Sequence, residues 1–139
     1  MHSSGKTDTG IKRNNNQDSI FFSDTPVGPL PNLYIVADGM GGHRAGDKAS
    51  RMAIDITVDF IEKSTIENPV ALLKRAMLFV NNEIYKAACA DPDLNGMGTT
   101  MVAAVAQDGK LYVANLSADC MRSAERFVRS QWIIRLSRN

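Results

Sequence analysis

A short apolar run that meets an aspartate and then a glycine-rich turn is the feature that most constrains what this chain can fold into. Residues 34–46 read Tyr-Ile-Val-Ala-Asp-Gly-Met-Gly-Gly-His-Arg-Ala-Gly. Aromatic and β-branched residues are typical of a buried strand, and an aspartate at its end is costly unless a charged group meets it. Hard divalent cations prefer carboxylate and carbonyl oxygens, and glycine lets the backbone approach a ligand closely. Asp38 and the Gly39 carbonyl are therefore candidate metal ligands, although a capping aspartate in an ordinary strand-to-helix turn explains the same residues equally well.

Hydrophobic periodicity and turn residues predict four strands, in two antiparallel pairs, and two long helices. The strands are expected at residues 18–23, 32–37, 100–106 and 110–116, and the helices at 46–63 and 69–90. Asn68 and Pro69 suit the N-cap and the first position of the second helix, and Asp108-Gly109 is typical of a two-residue hairpin. We expect both helices to lie side by side on one face of a sheet, and a further short strand near Trp132.

Composition excludes several classes of function. The chain has 139 residues, of which 44% are apolar and 22% charged, and a net charge of +1, so neither nucleic acid nor a membrane surface is an expected partner. It has no apolar run long enough to cross a bilayer and no apolar core of a signal peptide near its first residue. Cys89 and Cys120 are far apart, which argues against zinc or a disulfide framework. We therefore expect a cytoplasmic protein of one domain.

The segment before the first strand carries two further candidates. Arg13 lies among asparagines, and Asp18 opens the apolar run that follows. A surface loop accounts for both residues. In a functional interpretation, the planar guanidinium of Arg13 binds a phosphate, and Asp18 adds a carboxylate to the metal centre, directly or through water.

Three segments in this order resemble the bacterial branch of the metal-dependent protein phosphatases, the PPM or type 2C family of serine/threonine phosphatases. The segments are Thr7-Asp8-Thr9-Gly10 with Arg13 and Asn16-Gln17-Asp18-Ser19, then Ala37-Asp38-Gly39-Met40-Gly41-Gly42-His43, then Gly96-Met97-Gly98-Thr99-Thr100. The resemblance runs from about residue 5 to residue 115, and residues 116–139 diverge. It implies an α+β fold, a sandwich of two antiparallel β-sheets flanked by helices (αββα), with two Mn²⁺ or Mg²⁺ ions in its cleft.

The resemblance also implies roles for individual residues. Asp38 would bridge both ions, the carbonyl of Gly39 would bind one of them, Arg13 would hold the substrate phosphate, and Asp18 would contact the metals directly or through water. The substrates would be proteins phosphorylated on serine or threonine, with a cognate serine/threonine kinase as a partner.

Three departures from the family pattern limit what is expected of these residues. Gln17 stands where many relatives have glutamate, which removes an anionic ligand. Asp119 lies one position later than an aspartate that holds a third metal in relatives, and a shift of one residue turns a strand side chain to the other face. The later half of the family's domain, with two further metal-binding aspartates, has no counterpart among residues 1–139.

We therefore expect a truncated phosphatase domain with little or no activity, or alternatively a non-catalytic remnant that binds a phosphoprotein or a partner chain. A nucleotide-binding fold is disfavoured because neither GxGxxG nor GxxxxGK[ST] occurs.

Overall fold

Five antiparallel strands lie side by side in chain order in the computed structural model of the chain. The structure describes residues 2–8, 10, 16–42, 45–119 and 132–135, with residues 117–119 and 132–135 described by their backbone. The strands are β1 (Asp18–Ser23), β2 (Leu33–Met40), β3 (Gly98–Gln107), β4 (Lys110–Asp119) and β5 (Trp132–Arg135), and the helices are α1 (Ala45–Glu62) and α2 (Pro69–Ala90). A short 3₁₀ helix at Pro92–Leu94 connects α2 to β3.

Both predicted strand pairs are confirmed, and a third pairing joins them into one sheet. β1 pairs with β2 and β3 pairs with β4, as expected, while β2 also pairs with β3, so that Val36 lies opposite Val102. The α+β class is confirmed. The described residues form one sheet and one helical layer, which are two of the four layers that an αββα sandwich contains.

The hydrophobic core lies between one face of this sheet and the two helices. Burial alternates along β2, where Leu33, Ile35 and Ala37 are buried beneath the helices. α1 packs over β2 and its neighbours, α2 packs over β4, and the two helices contact each other. The first half of α1 buries small residues, which lets it approach the sheet closely; these are Ala45, Gly46, Ala49, Ser50 and Ala53. The predicted placement of both helices on one sheet face is confirmed.

Local signals fix the ends of α2 and the β3–β4 turn as expected. The side chain of Asn68 accepts a hydrogen bond from the Ala71 N–H (3.0 Å), and Pro69 begins the helix. Asp108 and Gly109 both have positive φ, 53° and 70°, the combination that a type I′ hairpin turn requires.

Among the described residues no helix covers the other face of the sheet, which we call the open face, and exposed apolar side chains lie on it. Val36 is 56% exposed, and Phe22, Met40 and Val102 are also exposed. Among the described residues, no helix is long and apolar enough to span a membrane.

The predicted end of β2 at Ala37 is wrong, because the strand continues through Met40. The added residues keep ladder partners on β3, with Gly39 opposite Thr99 and Met40 opposite Gly98. Asp38 therefore lies inside a strand and not at its end, and the turn begins at Gly41.

Candidate metal centre

Two aspartates face each other on the open side of the sheet. Asp18 on β1 lies directly opposite Asp38 on β2 in the antiparallel register. Directly opposite residues share a face, with their Cβ atoms about 5 Å apart. Asp38 is exposed and Asp18 is partly exposed. The sequence predicted only that Asp18 lies near one edge of the Asp38 turn; the structure puts the two residues at one register position.

Two threonines of the Gly-Met-Gly-Thr-Thr segment, on β3, contact the backbone of Asp38 from the strand edge opposite to β1. Thr100 on β3 lies opposite Asp38, so this row of the sheet continues past the two aspartates. The hydroxyl of Thr99 donates to the Asp38 carbonyl (3.0 Å). Asp38 is thus supported from β3 by a ladder pairing and by a side-chain hydrogen bond, while its carboxylate belongs to the open face.

Gly39 is buried because two backbone segments approach it closely. Its N–H donates to the Gln17 carbonyl (2.9 Å), which extends the β1–β2 pairing one residue beyond Asp18. A Cβ at Gly39 would overlap the carbonyl oxygen of Gly46 at the start of α1. A glycine after Asp38 is therefore required by packing, whatever the Gly39 carbonyl binds.

The donor set at this position fits a hard divalent cation. Like charges at directly opposite positions of a sheet destabilise it, so a cation between Asp18 and Asp38 would stabilise this arrangement. Mg²⁺ is commonly held by one or two carboxylates, with water and substrate phosphate completing its shell. The described part of the chain contains no group of three or more His, Cys, Asp or Glu side chains that could hold a metal. Asp18 and Asp38 together could therefore hold one cation with help from water, but they do not form a complete cage.

Three other predicted or considered site residues are not tested by this geometry. Arg13, the predicted phosphate ligand, and His43, a residue of the motif, lie outside the described residues. Asp119 is the last residue of β4, and its backbone pairs with Gly98, but its side chain is outside the description. A role for Asp119 at a third metal therefore remains a prediction.

Sequence reasoning missed one contact of this site, made by the side chain of Gln17. Its Nε2 atom donates to the carbonyl of Gly41 (3.2 Å), in the turn beyond Asp38. The one signal that could have indicated it is Gly46, since a glycine can mark a position where another part of the chain approaches the backbone closely.

Comparison with known proteins defines the class of this fold and site. A sequence model of the family described as protein phosphatase 2C matches residues 10–125. The chain therefore belongs to the protein phosphatase 2C family.

Individual relatives agree with that assignment. The chain is 40% identical over 121 residues to the serine/threonine phosphatase stp of Listeria monocytogenes, a match that covers 84% of this chain and 47% of the relative. It is 32% identical over 111 residues to the serine/threonine protein phosphatase PstP of Mycobacterium tuberculosis, covering 80% of this chain and 20% of that protein. The chain thus spans about half, or less, of the relatives it matches.

Solved structures give the same result for the fold. A bacterial serine phosphatase aligns with a TM-score of 0.70 at 29% identity, covering 79% of this chain and 45% of that one. The catalytic domain of PstP in complex with two manganese ions aligns with a TM-score of 0.65 at 32% identity, covering 79% and 45%. This family therefore includes a solved structure that holds two divalent cations.

Proposed function

We propose that this chain supplies part of the active site of a metal-dependent serine/threonine protein phosphatase. The observation that carries the proposal is the pair of aspartates, Asp18 and Asp38, at one register position on the open sheet face of a protein phosphatase 2C chain. The substrates are proteins phosphorylated on serine or threonine, and a cognate kinase is the expected partner. A cytoplasmic location agrees with the cysteine usage of the chain.

Different residues have different roles in the proposed phosphoester hydrolysis. Bound Mn²⁺ or Mg²⁺ supplies activation of the attacking water and neutralisation of phosphoryl charge. Asp38 would hold the cations through its carboxylate, Asp18 would contact them directly or through water, and the Gly39 carbonyl would add a neutral oxygen. Arg13 binds the phosphoryl oxygens with its planar donors and offsets the charge that develops on them. Water displaces the serine or threonine oxygen, which leaves with a proton as the free hydroxyl group.

A calorimetric titration of the 139-residue chain with Mn²⁺ tests the metal assignment. We expect binding by the wild-type chain and none by Asp38→Ala, because the variant removes one of two carboxylates and leaves the site with too few charged ligands. Asp55→Ala is a matched control, since Asp55 is an exposed carboxylate in the middle of α1. Equal binding by Asp38→Ala and the wild type would remove Asp38 from the site.

A second measurement tests the phosphate assignment. In saturating Mn²⁺, the chain should bind a phosphothreonine peptide more tightly than the unphosphorylated peptide, and Arg13→Ala should remove the difference. A peptide affinity that is unchanged in Arg13→Ala would assign phosphate recognition to another residue.

One observation favours a second candidate function, that of a non-catalytic remnant which binds a phosphoprotein or partner chain. The described residues contain two facing carboxylates and no cluster of three, whereas a two-cation mechanism needs both ions held at a fixed separation. The metal dependence of phosphopeptide binding separates these functions. Mn²⁺ binding that Asp38→Ala abolishes, and that phosphopeptide binding requires, supports the phosphatase, whereas phosphopeptide binding retained without bound Mn²⁺ supports the remnant.

A further inference from the structure

Gln17 lies directly before Asp18, and both its backbone and its side chain contact the residues that follow Asp38. Its carbonyl accepts the Gly39 N–H at 2.9 Å, and its Nε2 donates to the Gly41 carbonyl at 3.2 Å. The residue that directly precedes β1 thus makes hydrogen bonds at two points along the glycine-rich segment.

The carboxamide of Gln17 also lies against the first turn of α1. A Cβ added at Gly46 would come within 2.7 Å of the Gln17 Cδ and 2.9 Å of its Nε2. The amide occupies this position because residue 46 has no side chain. Gly39 packs against the carbonyl of the same Gly46. The Gln17 amide therefore fills the gap where β1, the end of β2 and the start of α1 meet.

We propose that Gln17 is a positioning residue of the metal centre, a role that rests on the proposed function of Asp18 and Asp38. It fixes the backbone beyond Asp38 relative to Asp18, and so keeps the two carboxylates at opposing positions. The role requires a neutral amide, because the contact with the Gly41 carbonyl needs a donor, and an ionised carboxylate has only acceptors.

The positioning role and simple electrostatics predict opposite effects of Gln17→Glu on the affinity for a cation. If Gln17 were only a lost anionic ligand, Gln17→Glu would restore a carboxylate directly before Asp18 in the sequence and raise the affinity for a cation. If Gln17 positions the turn, Gln17→Glu turns an acceptor toward the Gly41 carbonyl, displaces the segment and lowers that affinity. The same substitution therefore separates the two roles by the sign of its effect.

The experiment measures Mn²⁺ affinity from the electron paramagnetic resonance signal of free Mn²⁺ in the presence of the full 139-residue chain. We expect Gln17→Glu and Gln17→Met to bind Mn²⁺ about tenfold more weakly, the usual effect of removing a group that orients metal ligands. Asn82→Asp, the same change of amide to carboxylate at an exposed position of α2, should bind as the wild type does. Unchanged or tighter binding by Gln17→Glu would overturn the proposal.

A metal-free measurement keeps this test separate from that of the proposed function. Hydrogen–deuterium exchange without metal should be faster in both Gln17 variants at the amides of residues 39–42 and 45–46, and unchanged in α2 and along β3. Unchanged exchange in that segment, or loss of protection throughout the sheet, would show that Gln17 does not position the turn specifically. If the wild-type chain binds no Mn²⁺, the proposed function fails, and the exchange data alone decide whether Gln17 holds the turn.

Discussion

Glycines near Asp38 differ in what surrounds them, and this difference makes a prediction at the scale of single residues. A methyl group at Gly39 would overlap the Gly46 carbonyl, a backbone atom that cannot rotate away, whereas a Cβ at Gly42 has no atom within 4 Å. We expect Gly39→Ala to lower the free energy of unfolding by about 3 kcal/mol, at the upper end of overpacking effects. Gly42→Ala should change it by less than about 0.5 kcal/mol.

Urea denaturation followed by circular dichroism measures both glycine variants. Gly42→Ala is the control for the loss of a glycine from the same segment. Equal free energies of unfolding of the two variants would mean that α1 moves away from Gly39 without destabilising the fold. The contact with Gly46 would then not hold the turn.

The sequence alone indicated Asp18 and Asp38 as candidate site residues, but it did not indicate the contacts around them. Asp18 and Asp38 stand out because carboxylates next to apolar runs are unusual, and that signal is local. The contact of Gln17 with Gly46 joins residues 29 positions apart and depends on how α1 packs on the sheet, which no local pattern contains.

At the scale of elements, Asp24 connects the segment before β1 to the sheet. Its carboxylate accepts hydrogen bonds from the Tyr34 hydroxyl (2.8 Å), at the start of β2, and from the Ser3 N–H (2.6 Å). The hydrogen bond from Tyr34 lowers the pKa of Asp24. Burial, and then the hydrogen bond to Asp24, raises the pKa of Tyr34 to about 12. Protonated Tyr34 is therefore favoured in the folded protein.

This connection predicts a loss of stability in alkali. Because the pKa of Tyr34 is raised on folding from a usual value of about 10, its contribution is complete below pH 10. It is lost as the pH rises from about 10 to about 12. The free energy of unfolding of the wild type should therefore fall in that window by on the order of 1 kcal/mol more than that of Tyr34→Phe.

Denaturation at pH 8, 10 and 11 tests the contribution of Tyr34. Tyr112→Phe, a matched change on β4, should keep the alkaline loss because Tyr34 is still present. A wild type and a Tyr34→Phe variant with parallel pH dependence would contradict the raised pKa of Tyr34.

Element boundaries were predictable where capping residues and prolines mark the ends of an element in the sequence. The bounds of α2 at residues 69 and 90 agree with the prediction because Asn68-Pro69 and Asp91-Pro92 mark its ends chemically. β2 ends three residues later than predicted, since its last residues are held by partners on β3 and by Gln17. Asp38 and Gly39 are residue types depleted in strands, so propensity did not predict this extension.

At the scale of the whole molecule, the described helices cover one face of the sheet and leave the other, open face without a helix. Helices cover the face that holds the core, and the open face carries the aspartate pair next to exposed apolar side chains, of which Val36 is the most exposed. A candidate metal centre beside an apolar surface is the arrangement expected where a second layer of protein covers the apolar part. The 139 residues also span 45% of the aligned PstP catalytic domain.

These two facts predict that the 139-residue chain alone has little or no phosphatase activity. Turnover needs two cations held together with the phosphoryl group, and Asp18 and Asp38 account for the ligands of one. The purified chain should be assayed with Mn²⁺ on a phosphothreonine peptide, beside a double variant that carries Arg13→Ala and Asp38→Ala. We expect the same background rate from both.

Metal-dependent turnover well above that of the double variant would contradict the prediction, because the carboxylates present would then suffice for both cations. Light scattering at the assay concentration would then show whether two copies, in contact through their open faces, complete the site together.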